Sequence, residues 1–122
     1  VPSISNVAYV GGSTFEEYLE LLNPTNSEMV APIHTWKIRI TTAVGSVQLN
    51  LGDYLNAPIN MPAGQRCRIY TSKRGASADE ASPCGFLTLG IVDDVDGIYP
   101  DRPGVTVVVV NAESRIVAAF NY

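Results

Sequence analysis

Charge is scarce in this sequence. Asp, Glu, Lys and Arg make up 16% of its 122 residues, against about 25% in an average soluble domain. Ser, Thr, Asn, Gly and Pro take their place. The expected surface is therefore polar but weakly ionic, as in extracellular modules and assembly subunits. Basic residues number eight, and no cluster exceeds Lys73-Arg74. Phosphate neutralisation needs a basic face, and the net charge here is −4, so nucleic-acid binding is disfavoured. No apolar run approaches the roughly 18 residues of a membrane-spanning helix, and the four valines at 107–110 fall far short. No secretory signal is visible, and the chain starts at Val1 without an initiator Met, as a mature, trimmed or Met-processed product would.

Reactive groups are equally few. His34 is the only histidine, and a nucleophilic triad would need it to meet a hydroxyl or thiol and a carboxylate. No Gly-x-Ser-x-Gly stretch is present, and Gly11-Gly12 lacks the frame of a phosphate-binding loop. A structural zinc site needs three or four His or Cys ligands, and the chain owns one His and two Cys at unsuitable spacing. His34 reads as a turn or surface residue, and the chain as a non-enzyme with no resident cofactor. A bridge between Cys67 and Cys84 would contribute about 3 kcal/mol by chain-entropy reasoning. The preferred expectation is two free thiols, Cys67 packed in the core and Cys84 in a loop. No glycosylation acceptor exists, because Pro24 blocks Asn23-Pro24-Thr25.

What the chain does have is alternation. At 122 residues it is expected to form one domain, 1–122, able to hide a two-layer core. In HTWKIRIT, Trp36, Ile38 and Ile40 alternate with Lys37, Arg39 and Thr41, the pattern of a strand with one wet face. SVQLNLG alternates through Val47, Leu49 and Leu51, and RCRIYTS sets Cys67, Ile69 and Thr71 against Arg66, Arg68 and Tyr70. VTVVVVN and RIVAAFNY, separated by a short polar bend, read as a hairpin with Val107 and Val109 inward. SISNVAYV reads as a strand with one irregularity, and APINMPAGQ and DDVDGIYPDRPG as loops. The ambiguous segment is EEYLELL. Thr14 and Glu17 would make a capping box, but the segment is short and Asn23-Pro24 stops it. Among so many strands it is expected to be extended, with Leu19 and Leu21 facing one way and Tyr18, Glu20 and Leu22 the other. Seven to nine short strands predict an all-β sandwich or barrel.

The order of these segments resembles the lamin tail domain, an immunoglobulin-like module. YLELLN, a polar turn and the Trp36-Lys37-Ile38 strand are similar to its aromatic-apolar-x-apolar-x-Asn strand and the Trp-bearing strand that follows. MPAGQRCRIYTSKRGASADEASP and GVTVVVVNAESRIVAAF look like its Ala-Gly-Gln turn with the central strand, and its closing hairpin. The match spans about residues 3 to 121. The resemblance implies an immunoglobulin-like β-sandwich with Trp36 plugging the core between sheets. The lamins' preceding coiled coil and basic tail have no counterpart here. Those departures point away from a nuclear location and towards a prokaryotic or viral member.

Two groups of residues invite functional readings. Asp93, Asp94, Asp96 and Asp101 lie within nine positions and could wrap a hard cation such as Ca²⁺; the preferred reading is an acidic exposed turn. Glu16, Glu17 and Glu20 read as a solvated edge, since Glu16 and Glu20 on a strand stand about 13 Å apart, too far for a glycosidase pair. Tyr18 and Tyr70 share one outward face and form a candidate interface. The function expected from these readings is a non-catalytic structural or protein-interaction module. It would dock or self-assemble on an envelope, filament or virion coat, at a cell surface or in a virus particle, with copies of itself or a scaffold protein as partner. The alternative is an extracellular carbohydrate-binding sandwich.

Overall fold

A computed structural model describes residues 3–8, 17–71, 84, 87–90, 98–100 and 103–122. In it the chain is nearly all β, and every paired strand is antiparallel to its neighbour. One sheet holds β1 (Ser3–Ala8), β2 (Tyr18–Leu22) and β7 (Arg66–Tyr70) in the order β1-β2-β7. The other holds β4 (Lys37–Thr42), β5 (Gly45–Asn50), β8 (Thr106–Val110) and β9 (Ile116–Asn121) in the order β5-β4-β8-β9. A small pair, β3 (Met29–Ala31) with β6 (Ile59–Met61), stands beside them. The result is an all-β sandwich.

The EEYLELL segment is extended from Tyr18 to Leu22, paired on both sides by β1 and β7. Leu19 and Leu21 are fully buried. A helix would swing those two side chains about 200° apart, whereas a strand sends both into the core. The facing sheet contributes Ile38, Ile40, Val107 and Val109, and β7 adds Cys67 and Ile69, all buried. Trp36 is buried in the same core, but it precedes the strand: it caps a 3-10 turn at Ile33–Thr35, and β4 begins at Lys37. A second 3-10 turn, Leu51–Asp53, follows β5 at the same end of the sheet. The two turns meet closely, since a Cβ on Gly52 would lie 2.6 Å from the His34 carbonyl oxygen.

Several expectations need correction. APINMPAGQ is not all loop. Ile59 and Met61 are buried and Asn60 is exposed, so a strand fits between Pro58 and Pro62 because the prolines bracket it rather than interrupt it. The alternation through Val47, Leu49 and Leu51 does not make β5 a buried strand: Val47 lies on the face of Ile40 yet stays exposed. β5 is an outer strand paired only with β4 among the described strands, and Val47 is 59% exposed. Cys67 and Cys84 are not free thiols but a disulfide, with Cα atoms 5.6 Å apart, well inside the range a bridge requires. The irregularity expected in the first strand is present as a register shift between Ile4 and Asn6.

Candidate interaction surfaces

The polar residues of β2 come first, because the structure overturns their solvated-edge reading. Glu17 is fully buried. Its Oε1 accepts from the Thr71 hydroxyl (3.0 Å) and the Ile98 N–H (2.7 Å), and its Oε2 accepts from the Tyr99 N–H (3.1 Å). A carboxylate removed from water needs that many donors to offset its desolvation. Here the donors are mostly backbone groups more than eighty positions away. At the other end of β2, Asn23 is fully buried too. Its Nδ2 donates to the carbonyls of Ser27 (2.9 Å) and Met61 (2.8 Å), and its Oδ1 accepts from the Thr25 N–H (3.0 Å). Glu17 thus anchors the 98–99 segment, and Asn23 anchors β6 and its own turn. Glu16 lies outside the described residues.

Tyr99 shows how tightly the Glu17 end is closed. It is 3% exposed, and burial first, then the Glu17 carboxylate and Tyr122, push its phenol well above the ordinary tyrosine range. A folded-state value raised above the unfolded one means the folded state holds its proton more strongly. The stability this contributes is complete below about pH 10, where free tyrosine titrates, and is lost as pH rises beyond it. Urea unfolding between neutral and strongly alkaline pH should show a decline that is shallower in Tyr99→Phe. An identical alkaline slope in the two proteins would contradict the burial.

The outward face of β2 and β7 is a layered polar cluster. Cross-strand partners Tyr18–Tyr70, Glu20–Arg68 and Leu22–Arg66 stand directly opposite one another. The Arg68 Nε donates to Glu20 Oε2 (3.0 Å), and its guanidinium lies 4.3 Å over the Tyr18 ring. Tyr18 and Tyr70 meet edge to face at 5.4 Å. Glu20 is therefore paired and only 8% exposed rather than solvated. Tyr70 is 5% exposed, which corrects its reading as an outward interface: its ring packs on Tyr18, and its backbone bonds Leu87 and Leu89. An open aromatic platform for a sugar ring is not what these two residues form.

His34 sits half-buried in the first 3-10 turn, with its Nδ1 buried and without a hydrogen-bond partner among the described residues. Both cysteines are bonded to each other, so neither offers a thiolate. Asp93, Asp94, Asp96 and Asp101, proposed from sequence as cation ligands, lie outside the described residues. Among the described residues no three His, Cys, Asp or Glu side chains converge as metal ligands. Among them, too, no helix is long and apolar enough to cross a membrane.

Among the described residues, exposed aliphatic side chains gather in two places that sequence reading did not identify. The first is a groove of about 540 Å³ between β3 with the first 3-10 turn and the β8–β9 hairpin. Trp36 and Ala31 are buried in its wall, while Val30 and Ile116 on its rims are 63% and 67% exposed. The hairpin is shaped locally by Asn111, whose Oδ1 accepts from the N–H groups of Glu113 (3.0 Å) and Arg115 (2.9 Å). Ser114 takes the left-handed conformation, φ 63°, that closes a three-residue loop of this kind. A register shift in β9, where Val110 pairs with Ile116 and Val109 with Ala118, locally re-aims its side chains. The second place is the outer edge of β5, where Val44 is 88% and Val47 59% exposed.

The fold defines the class, an all-β sandwich of antiparallel sheets. No family model matches the chain, and no curated protein shows significant similarity to it.

Proposed function

We propose that this chain is a non-catalytic, lamin-tail-like interaction module, and that the groove between β3 and the β8–β9 hairpin receives an extended apolar segment of a partner protein. The carrying observation is the pair of exposed β-branched side chains, Val30 and Ile116, flanking a hollow walled by Trp36. Isolated exposed apolar residues need no explanation, but apolar rims around a concave apolar floor suit protein contact. β3 is paired on one side only among the described strands. An extended peptide could therefore add its backbone to that edge while its side chains enter the groove, the mode of strand addition. The Cys67–Cys84 bridge suits an oxidising setting such as a cell surface or an exposed particle. Fold alone would not assign this role, and the assignment rests on the groove.

Selection from a displayed library of random peptides tests it. Wild-type domain should enrich apolar, extended sequences whose binding drops at least tenfold in Val30→Asp and Ile116→Asp, both surface substitutions that leave the core intact. Enrichment of nothing sensitive to those two changes would remove the groove as the docking site.

A further inference from the structure

The outer edge of β5 is a second surface, and its occupant can be read from its own register. In β4–β5, Thr42 faces Gly45, Ile40 faces Val47 and Ile38 faces Leu49. The ladder continues to Trp36, whose carbonyl accepts from the Leu51 N–H at 2.9 Å. Hydrogen-bonded pairs alternate along an antiparallel ladder, so residues 45, 47, 49 and 51 direct their backbone groups at β4. Ser46, Gln48 and Asn50 must then present theirs to the open side. No described strand meets them there.

Edge strands of this kind are normally protected by a charge, a proline, a bulge, brevity or a covering loop or helix. β5 has none of the first four, and among the described residues it stands largely exposed. Its six residues, GSVQLN, contain no Asp, Glu, Lys, Arg or Pro, and its register with β4 runs without a shift. The other strands that end a described sheet are three residues long (β3 and β6), carry charge (Arg66 and Arg68 of β7) or meet their partner through a register shift (β1 and β9). Val47 and Leu49 share the face of their partners Ile40 and Ile38, the core-facing side, yet Val47 stands exposed. An exposed apolar side chain on the inner face of an edge without charge, proline or bulge marks a sheet that stops short of its own hydrophobic width.

We infer that β5 pairs antiparallel with β5 of a second copy, about a two-fold axis through Gln48, so that the four-stranded sheets join into one continuous sheet. This rests on reading the chain as an interaction module, but it uses a surface separate from the groove. Centring on Gln48 sets Ser46 opposite Asn50 of the other copy, and Gln48 opposite Gln48, each pair joined through its outward backbone groups. Val47 falls opposite Leu49, covering the exposed valine. Centring on Val47 would leave two hydrogen-bonded pairs within the strand instead of three, the next pair calling on the turn residue Val44. Charge permits the arrangement. The outer-face residues meeting at the seam are Ser, Gln and Asn. The cations on that face of β4 are Lys37, opposite Asn50, and Arg39, opposite Gln48 and bonded to it at 3.3 Å. Arg39 would face its counterpart across three strand spacings, about 14 Å, beyond the roughly 8 Å screening length at physiological salt.

The test is light scattering coupled to size exclusion across a hundredfold concentration range. Wild type should climb from 13.1 kDa towards twice that mass. Gln48→Pro removes an N–H that β4 does not use and should hold the mass at the monomer value with unchanged circular dichroism. Ile116→Asp should dimerise like wild type. Should the proline variant fold poorly, Gln48→Cys replaces it: under mild oxidation it should crosslink to itself, while Asn60→Cys, at the exposed position of β6, does not. A wild type that stays monomeric throughout, or a dimer lost in Ile116→Asp and retained in Gln48→Pro, overturns the inference. Neither result touches the peptide selection, which judges the groove separately.

Discussion

Glu17→Ala is expected to lower the unfolding free energy by about 3–5 kcal/mol, the range for removing one member of a buried, charge-assisted set. The substitution takes away three hydrogen bonds at once. It also leaves the N–H groups of Ile98 and Tyr99 facing a void, and an unsatisfied buried donor costs about 1–3 kcal/mol by itself. Glu17→Gln separates shape from chemistry. Its amide fills the same space, but the two carboxylate oxygens each accept from a backbone N–H, and the amide can offer only one oxygen. One N–H must then face an NH₂ group, donor against donor. We expect Gln to fall between wild type and Ala, with limited proteolysis cutting near residues 98–100 in both variants before the rest of the chain. Urea titration gives the magnitude. A Glu17→Ala protein within about 1 kcal/mol of wild type, less than one unsatisfied donor costs, would mean that the carboxylate does not hold the 98–99 segment.

Removing the crosslink is expected to have the next largest effect. Cys67 and Cys84 are 17 positions apart, and closing a loop of that length restricts the unfolded chain by about 3 kcal/mol. The double Cys67→Ser, Cys84→Ser variant should lose about that much. For a domain of this size that corresponds to a fall in Tm on the order of 10 °C. Cys67 is fully buried in the core cluster, so serine there adds a hydroxyl without an assured partner, and Cys67→Ala with Cys84→Ala controls for it. A reductant should reproduce the loss, attacking first at Cys84, which is only partly buried, rather than at the fully buried Cys67. Equal stability with and without reductant after full equilibration would show that the bridge contributes nothing.

Much of the architecture was legible because one chemical rule carried it. Where one face of a strand is buried and the other wet, letters alternate, and β4, β7 and the β8–β9 hairpin could be read that way. The extended state of β2 followed from its company and not from its composition. The misreadings share a cause: each depended on a partner that no local pattern names. Glu17 and Glu20 look like surface acids until Ile98, Tyr99 and Arg68 are placed beside them. The alternation of β5 does not reveal that it ends its described sheet, with Val47 left exposed. Spacing alone does not fix how close two cysteines come, so the bridge could not be derived. The groove draws on residues 29–36 and 111–117, two stretches that are unexceptional separately, and β3 and β6 are too short to announce themselves.

β2 has a consequence for how the chain reaches its native state. Its Glu and Leu residues favour a coil of the other kind. β1 lies nearby in sequence and pairs with it along one edge. Its other edge, however, is held by β7, and the side-chain bonds of Glu20 and Glu17 come from Arg68 and Thr71, 48 and 54 positions further on. Sheet assembly must therefore wait for distant stretches of polypeptide to arrive, which slows collapse to the ordered form. During that interval a transient helical turn at Tyr18–Leu22 competes with productive pairing.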